Sequence, residues 1–381
     1  MKAIINAELV MRDHFIPDAV LFIEDGIITG YGEMRNTEIP KDCEIIDAEG
    51  EYVGPGLIDI HSHTGDDINA WEDPIAAAQF HLSHGVTTYL PTSYGRMTKE
   101  QYIEMSHRVR EAMASPEGKN IGGIYFEGPY SNPKYGSNRN LNPWNKPVLA
   151  EDYGPMIEAS RGLVRVWGVA PEREDILPFV KAAKKADPKV RFAVTHSEAT
   201  PKQIEKLMPY GLCIGTHHTN ATGTIVNYPE CRGCCVDEAV NYNTGIYAEI
   251  ISDSRGIHVD PYMQRLVRKI KGDDKIILIS DRTKTAAPNP EGYDGVTDLN
   301  FDYEAEIAGS KLSLEVACRN FMKHTGASIV DAFKFASLNP ATALGFCDRG
   351  QILEGLRADL IIVDRKMNVK KVILGGELVR G

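Results

Sequence analysis

His61 and His63 stand one residue apart at the end of the apolar run Leu57 to Ile60. On a strand, alternate side chains share a face, so both imidazoles would leave that strand end in the same direction. Paired imidazoles suit a divalent transition metal. The triplet gains weight from where other candidates fall. Glu127 ends a β-rich run in Phe-Glu-Gly-Pro, His196 and His217 each end another, and Asp281 closes a last one in Ile-Ser-Asp. A metal held by such donors brings its water to a pKa of about 7 and polarises an acyl oxygen, which is what hydrolysis of a poor electrophile such as an amide requires.

These residues need a scaffold that gathers strand ends. Eight β-rich runs can be counted: Leu57 to Ile60, Val86 to Pro91, Ile121 to Phe126, Leu163 to Val169, Arg191 to Thr195, Leu212 to Thr216, Ile246 to Ile251 and Lys275 to Ser280. Helical stretches lie between them, including Lys99 to Ala114, Ile176 to Ala186, Pro201 to Met208 and Pro261 to Ile270, and two more, Lys311 to His324 and Ile329 to Leu344, follow the last run. In the Pro261 helix, Tyr262, Leu266, Val267 and Ile270 fall on one face, which predicts that this face is packed inward. Alternating strands and helices predict a parallel sheet, and eight units predict closure into a TIM (β/α)8 barrel. The metal-ligand candidates then share the C-terminal rim, where such barrels carry their active sites.

Both ends of the chain read as β structure. Ala3 to Val10, Ala19 to Glu24 and Ile27 to Tyr31 are β runs, the last two joined by Asp25-Gly26, a pair suited to a hairpin turn. Asp359 to Val363, Val369 to Leu374 and Glu377 to Val379 repeat the character, with Gly375-Gly376 between the last two. Neither end is large enough for its own core. Residues 1–53 and 347–381 are therefore expected to pair into one small β domain beside a barrel of residues 54–346.

With 381 residues and 43% hydrophobic composition the chain can bury a core without staples. A formal charge of -11 disfavours nucleic acid, whose affinity depends on neutralising phosphates. No apolar run approaches the ~20 residues that span a bilayer. An odd count of seven cysteines and no basic, apolar leader at Met1 point to a reduced, cytoplasmic protein.

The set His61-Ser-His63, Glu127-Gly-Pro, Thr195-His196-Ser-Glu-Ala, Thr216-His217-His-Thr-Asn220-Ala221, Arg255-Gly-Ile-His258-Val and Ser280-Asp281 resembles the N-acetylglucosamine-6-phosphate deacetylases of the amidohydrolase superfamily, over nearly the whole chain. The resemblance implies that His61 and His63 serve one metal, His196 and His217 the other or only one, and that Glu127 is shared. The fourth run ends Gly168-Val169-Ala170-Pro171 with no lysine to bridge metals, which favours Glu127 as the bridge. One or two divalent ions are implied; zinc suits the donors, as do iron, manganese and cobalt. Asp281 becomes the catalytic acid and base, and the reaction frees acetate from N-acetylglucosamine-6-phosphate. His258 is implied as a sugar contact, and Asn220 with Ala221 as main-chain donors toward phosphate. Arg232 is the nearest candidate for a phosphate-binding arginine, which in the family can come across a homodimer interface.

Several segments depart from that pattern. Where some relatives place a histidine that polarises the carbonyl, this chain reads Gly136-Ser137-Asn138-Arg139, which makes Asn138 the candidate donor. Thr64-Gly65-Asp66-Asp67 is unexpectedly acidic, and Arg282 with Lys284 put two cations beside Asp281, either to meet an anionic substrate or to face solvent. The metal chemistry is untouched by these changes, but the substrate is left between a phosphorylated amino sugar and another amide: a cyclic imide, an N-acyl amino acid or an unphosphorylated N-acetyl sugar. A binding or scaffold protein that keeps the barrel without catalysis is the alternative of a different class. Cys231, Cys234 and Cys235 form a single cluster without a second pair to complete a closed zinc site. His218 is expected to face away from the ligands, and His81, His84, His107 and His324 to be ordinary helix residues without partners.

Overall fold

The computed structural model describes residues 1–137, 139–223 and 226–381. Eight parallel strands run in chain order: β1 (Leu57–Ser62), β2 (Val86–Ser93), β3 (Ile124–Tyr130), β4 (Val164–Val169), β5 (Arg191–Val194), β6 (Leu212–Gly215), β7 (Tyr247–Ile251) and β8 (Ile276–Ile279). Every residue of β1, β2, β3, β7 and β8 is buried, as expected of a parallel sheet covered on both faces. The third strand starts later than its apolar run suggests. Gly123 at φ 139° breaks the run, and Ile121 makes only an isolated bridge to Tyr89.

The barrel is nearly closed. Between β8 and β1 the ladder gives way to single contacts: the Asp281 N–H donates to the His61 carbonyl at 2.9 Å, and the buried Asp59 carboxylate accepts from the His61 N–H at 3.3 Å and the Ser280 N–H at 3.4 Å. This seam lies directly under the predicted metal residues.

Helices cover the barrel where capping and burial agree. Lys99–Ala114 begins at a capping box of Thr98 and Gln101 and buries Tyr102, Met105 and Val109. Pro261–Lys271 is capped by Asp260 and ends before Gly272. Its inward face is not the one expected: Gln264, Val267 and Lys271 are buried, whereas Tyr262, Leu266 and Ile270 are exposed. Lys271 reaches the carbonyls of Val240 and Asn243, both at 2.7 Å, so a lysine takes a position that apolar patterning would not assign it. The stretch from Ile329 to Leu344 is helical, with a wider π turn over Lys334–Leu338 just ahead of Pro340, which has no N–H to give. Helix Leu314–Thr325 starts later than read, after Lys311 and Leu312 have given their carbonyls to Arg282.

Strands from both chain ends share a second sheet, in the order Glu377–Arg380, Val369–Leu374, Leu360–Val363, Tyr52–Pro55, Lys2–Val10, Phe15–Glu24 and Ile27–Glu33, with Glu44–Asp47 beside Lys2–Val10. The ends meet where Ile361 pairs with Gly54 in antiparallel register. Asp25 (φ 49°) and Gly26 (φ 77°) both adopt the left-handed region that a two-residue hairpin loop needs. Ile4, Leu21, Val53 and Leu360 belong to an apolar cluster separate from that of the barrel.

Candidate metal centre

The rim gathers residues distant in sequence. His61 comes from β1 and Glu127 from β3, and His63, His196, His217 and Asp281 lie just beyond β1, β5, β6 and β8. Glu127 is central: its Oε1 lies 2.8 Å from His196 Nε2 and 3.1 Å from His217 Nε2, and its Oε2 lies 3.4 Å from His63 Nε2. Asp281 Oδ1 is 3.2 Å from His63 Nε2 and 3.6 Å from His61 Nε2. Two sets of donor atoms, His61–His63–Glu127 and Glu127–His196–His217, each fall within 4.8 Å of one another. The cluster thus has the donor types and convergence that a divalent cation requires. A further observation fits one: His61 Nε2 is buried and has no hydrogen-bond partner. A buried polar atom left so costs about 1–3 kcal/mol, unless its lone pair serves a metal.

Backbone strain concentrates at the same place. His196 (φ 42°), His217 (φ 28°) and Asp281 (φ 43°) all occupy the sparsely populated left-handed region. Non-glycine residues stay there only when their surroundings over-determine them, and functional sites are where this is commonly found.

Charge is also gathered here. Burial alone would keep His61 neutral, but the carboxylates of Glu249, Asp281 and Glu127 overrule it and lift its pKa to about 10. Burial likewise opposes protonation of His217, yet Glu127 raises its pKa. Conversely, Glu127 and Asp281 stay ionised against their burial because of the histidines, with Glu127 held well below the ordinary carboxylate range. A metal entering this cluster would displace protons from the imidazoles.

Glu249 went unread in the sequence. It is buried in the middle of β7, and its Oε2 accepts from His61 Nδ1 at 3.1 Å and from the His217 N–H at 3.3 Å. That bond fixes which nitrogen of His61 carries the proton and leaves Nε2 facing the cluster. The available signal was a lone acid in an otherwise apolar strand, a placement that is rare without a partner. Asp59, whose burial pushes its pKa up to about 7, is the same signal in β1.

Beside the cluster lies a cavity of about 120 Å³, walled on one side by His63, Glu127, His196, His217 and Asp281. Tyr94 stacks on His63, with ring centroids 4.4 Å apart and planes 11° from parallel. Opposite, the hairpin of Leu299–Phe301 and Ile307–Ser310 brings Gly309 (φ 70°) so close that a β-carbon there would stand 2.7 Å from the Asp281 carbonyl oxygen.

The expected substrate residues have different placements. Asn220 and Ala221 line the cavity. The Asn220 N–H is taken by the His217 carbonyl at 2.9 Å, and the Asn220 carbonyl accepts from His217 Nδ1 at 3.1 Å, so Asn220 also steadies the His217 ring. His258 is buried, with Nδ1 3.1 Å from Asp253 Oδ2, and is not among the cavity's lining residues. Arg232 is exposed on a short hairpin, 2.5 Å from Glu238 Oε1, and does not line the cavity either. Asn138 lies outside the described residues. Arg282 turns away from the cavity: it donates to the carbonyls of Leu312 and Asp66 at 3.3 and 3.2 Å and packs over Phe80. Lys284 is exposed and lines nothing here, while Asp67 accepts the Thr285 N–H at 2.9 Å and so ties down the segment after β8.

Three of the four helix histidines, His81, His84 and His324, are better connected than expected, and His218 packs away from the cluster as expected. His81 meets the Thr64 carbonyl at 2.9 Å, His84 meets Glu315 at 2.8 Å, His324 meets Gln264 at 3.2 Å, and His218 packs with Asn241 at 3.1 Å. All seven cysteines are free. Among the described residues they join no metal-ligand group.

A model of the amidohydrolase family matches residues 52–379. The chain belongs to this family. Its relatives include the N-acetylgalactosamine-6-phosphate deacetylase of Escherichia coli O157:H7, 26% identical over 394 residues with 97% of each chain covered. The N-acetylglucosamine-6-phosphate deacetylase of Bacillus subtilis (strain 168) is 26% identical over 390 residues, covering 97% of this chain and 95% of the relative. Among solved structures, a mutant N-acetyl-D-glucosamine-6-phosphate deacetylase from Mycobacterium smegmatis, in complex with N-acetyl-D-glucosamine-6-phosphate, superposes with a TM-score of 0.82 at 25% identity, covering 100% of this chain and 99% of that one.

Proposed function

We propose that this chain hydrolyses the acetamide of N-acetylglucosamine-6-phosphate, giving glucosamine-6-phosphate and acetate. The observation that carries the reading is the pair of donor sets sharing Glu127, with the ionised Asp281 beside them and a cavity opening over both. Full-length similarity to deacetylases of two epimeric sugar phosphates supports the substrate class.

His61, His63, Glu127, His196 and His217 would hold one or two divalent ions, zinc first among those that suit imidazole and carboxylate donors. Such an ion, when bound, supplies an acidified water and a Lewis acid for the acyl oxygen. Asp281 accepts the water's proton and passes it to the departing nitrogen, which an amine needs in order to leave. Tyr94 walls the His63 side of the cavity, and Glu249 holds His61 in its orientation. Asn220 and Ala221 line the substrate's space; Asn138, Arg232 and His258 are carried as substrate contacts on the resemblance alone.

The reading extends to organisation. Residues 1–53 and 347–381 would act as one small β domain on a barrel of residues 54–346. Seven free cysteines favour a reducing, cytoplasmic setting. The exposed stripe Tyr262, Leu266 and Ile270 favours a homodimer, in which a second copy would cover it. The test of function is a paired assay of the metal-loaded protein with N-acetylglucosamine and its 6-phosphate, with N-acetylgalactosamine-6-phosphate alongside. A strong preference for a phosphorylated sugar is expected; no acetate release from any of them would remove the proposal.

A further inference from the structure

The cavity sets two guanidinium groups, Arg96 and Arg139, against two carboxylates, Glu127 and Asp281. Arg139 is already neutralised, with its Nη1 and Nη2 at 2.6 and 2.7 Å from the two oxygens of Glu306. Arg96 has neither an ion pair nor a side-chain hydrogen bond among the described residues. Its guanidinium carbon lies 4.6 Å from the centroid of the Tyr94 ring. Stacking occupies the face of a guanidinium and leaves its edge, with the N–H donors, free.

We propose that Arg96 recognises the substrate's phosphate. This deepens the deacetylase reading and rests on it. A protein carrying a net charge of -11 repels a phosphate monoester at long range, so the site must supply its own local cation. Of the other cations that the sequence puts near the rim, Arg282 is held on main-chain carbonyls and Arg232 on Glu238, while Lys284 is exposed and does not line the cavity. Arg96 also stands at a suitable remove. Tyr94 lies between it and the metal cluster in two ring contacts, 4.6 Å to the guanidinium and 4.4 Å to His63. A hexose bridges a separation of that order, with its acetamide at the cluster and its sixth carbon at the cavity mouth. A bidentate guanidinium–phosphate contact is among the stronger charge-assisted pairs.

The test compares wild type, Arg96→Gln, Arg96→Lys and Arg139→Gln on N-acetylglucosamine-6-phosphate and on N-acetylglucosamine, with metal content measured for each. Arg96→Gln should lose on the order of 10²-fold in kcat/KM on the phosphorylated sugar, mainly through KM. It should leave the unphosphorylated sugar and the metal content unchanged, while Arg96→Lys recovers part of the loss. Inhibition by inorganic phosphate should weaken in parallel. Equal losses on both sugars would mean that Arg96 acts only through Tyr94 and would overturn the assignment. So would a wild-type phosphate preference that survives Arg96→Gln or disappears only in Arg139→Gln. A wild type that deacetylates without regard to phosphate would overturn the substrate reading, and this inference with it.

Discussion

Replacing Glu249 with Gln keeps the shape of a fully buried side chain and removes one charge. In the native site one oxygen serves both His61 Nδ1, at 3.1 Å, and the His217 N–H, at 3.3 Å. A hydrogen bond to a charged acceptor is worth about 1.5–3 kcal/mol, against about 0.5–1.5 for a neutral one, so roughly 1–2 kcal/mol of support for His61 should go. At about 1.4 kcal/mol per decade this predicts metal binding weakened by roughly tenfold. If the new amide turned its NH2 toward His61, the ring would be driven to the other tautomer, with a proton on the nitrogen that faces the cluster. The loss would then approach the upper end of the 10–100-fold range typical of such supporting partners. Competition against a chromophoric chelator, with circular dichroism to confirm the fold, measures this directly. The loss should fall on the ion that uses His61 more than on the one that uses His196. Unchanged affinity for every bound equivalent would refute the idea that Glu249 governs His61.

Two further outcomes are expected. Asp281→Asn should lower kcat by about 10²–10⁴-fold, the usual worth of a positioned acid–base group, while elemental analysis shows metal retained. Asp253 offers a pH test: burial opposes its charge, but His258 and the main-chain N–H groups of Ile257 and His258 hold its pKa at about 2. Against about 3.9 in an unfolded chain, this depressed value contributes about 2 kcal/mol above pH 4, lost as the pH falls toward 2. Urea unfolding of metal-free Asp253→Asn should therefore show that deficit at pH 7 and a clearly smaller one at pH 3; a deficit that ignores pH would contradict the assignment.

The legible part of this protein is the part that strand geometry determines. Because side chains alternate, the spacing of His61 and His63 already implied a shared direction, and each further candidate ligand stood at the end of an apolar run. Glu249 and Asp59 were present in the same runs, but the pattern that marks a buried strand gives no partner for an acid within it. The Pro261–Lys271 helix was misread because Lys271 finds carbonyls on a neighbouring element, which no local periodicity encodes. Loop residues were the least legible. Arg139 pairs with Glu306, 167 positions away, and Arg282 with carbonyls that only the folded segment after β8 presents. Reading a cation as free or spent therefore required the long-range packing that brings its partner to it.

The seam between β8 and β1 gives that packing a consequence for the site. Ladder pairing fails where β8 meets β1, and the side chain of Asp59 takes two main-chain N–H groups that a continuous ladder would have used. The same failure frees the turn at Asp281, whose positive φ and N–H bond to the His61 carbonyl aim its carboxylate at His63 rather than along the strand. A fully regular eighth strand would have pointed residue 281 by simple alternation, with its main chain committed to pairing. The irregular joint instead costs a strained backbone and a buried acid at position 59, and it places the Asp281 carboxylate against His63, just past the neighbouring strand. Gly309 completes the arrangement, since any side chain there would press on the Asp281 main chain. The barrel's weakest joint and its most demanding positioning are therefore the same feature, which is why strain, buried charge and unpartnered nitrogen all appear within a few residues of it.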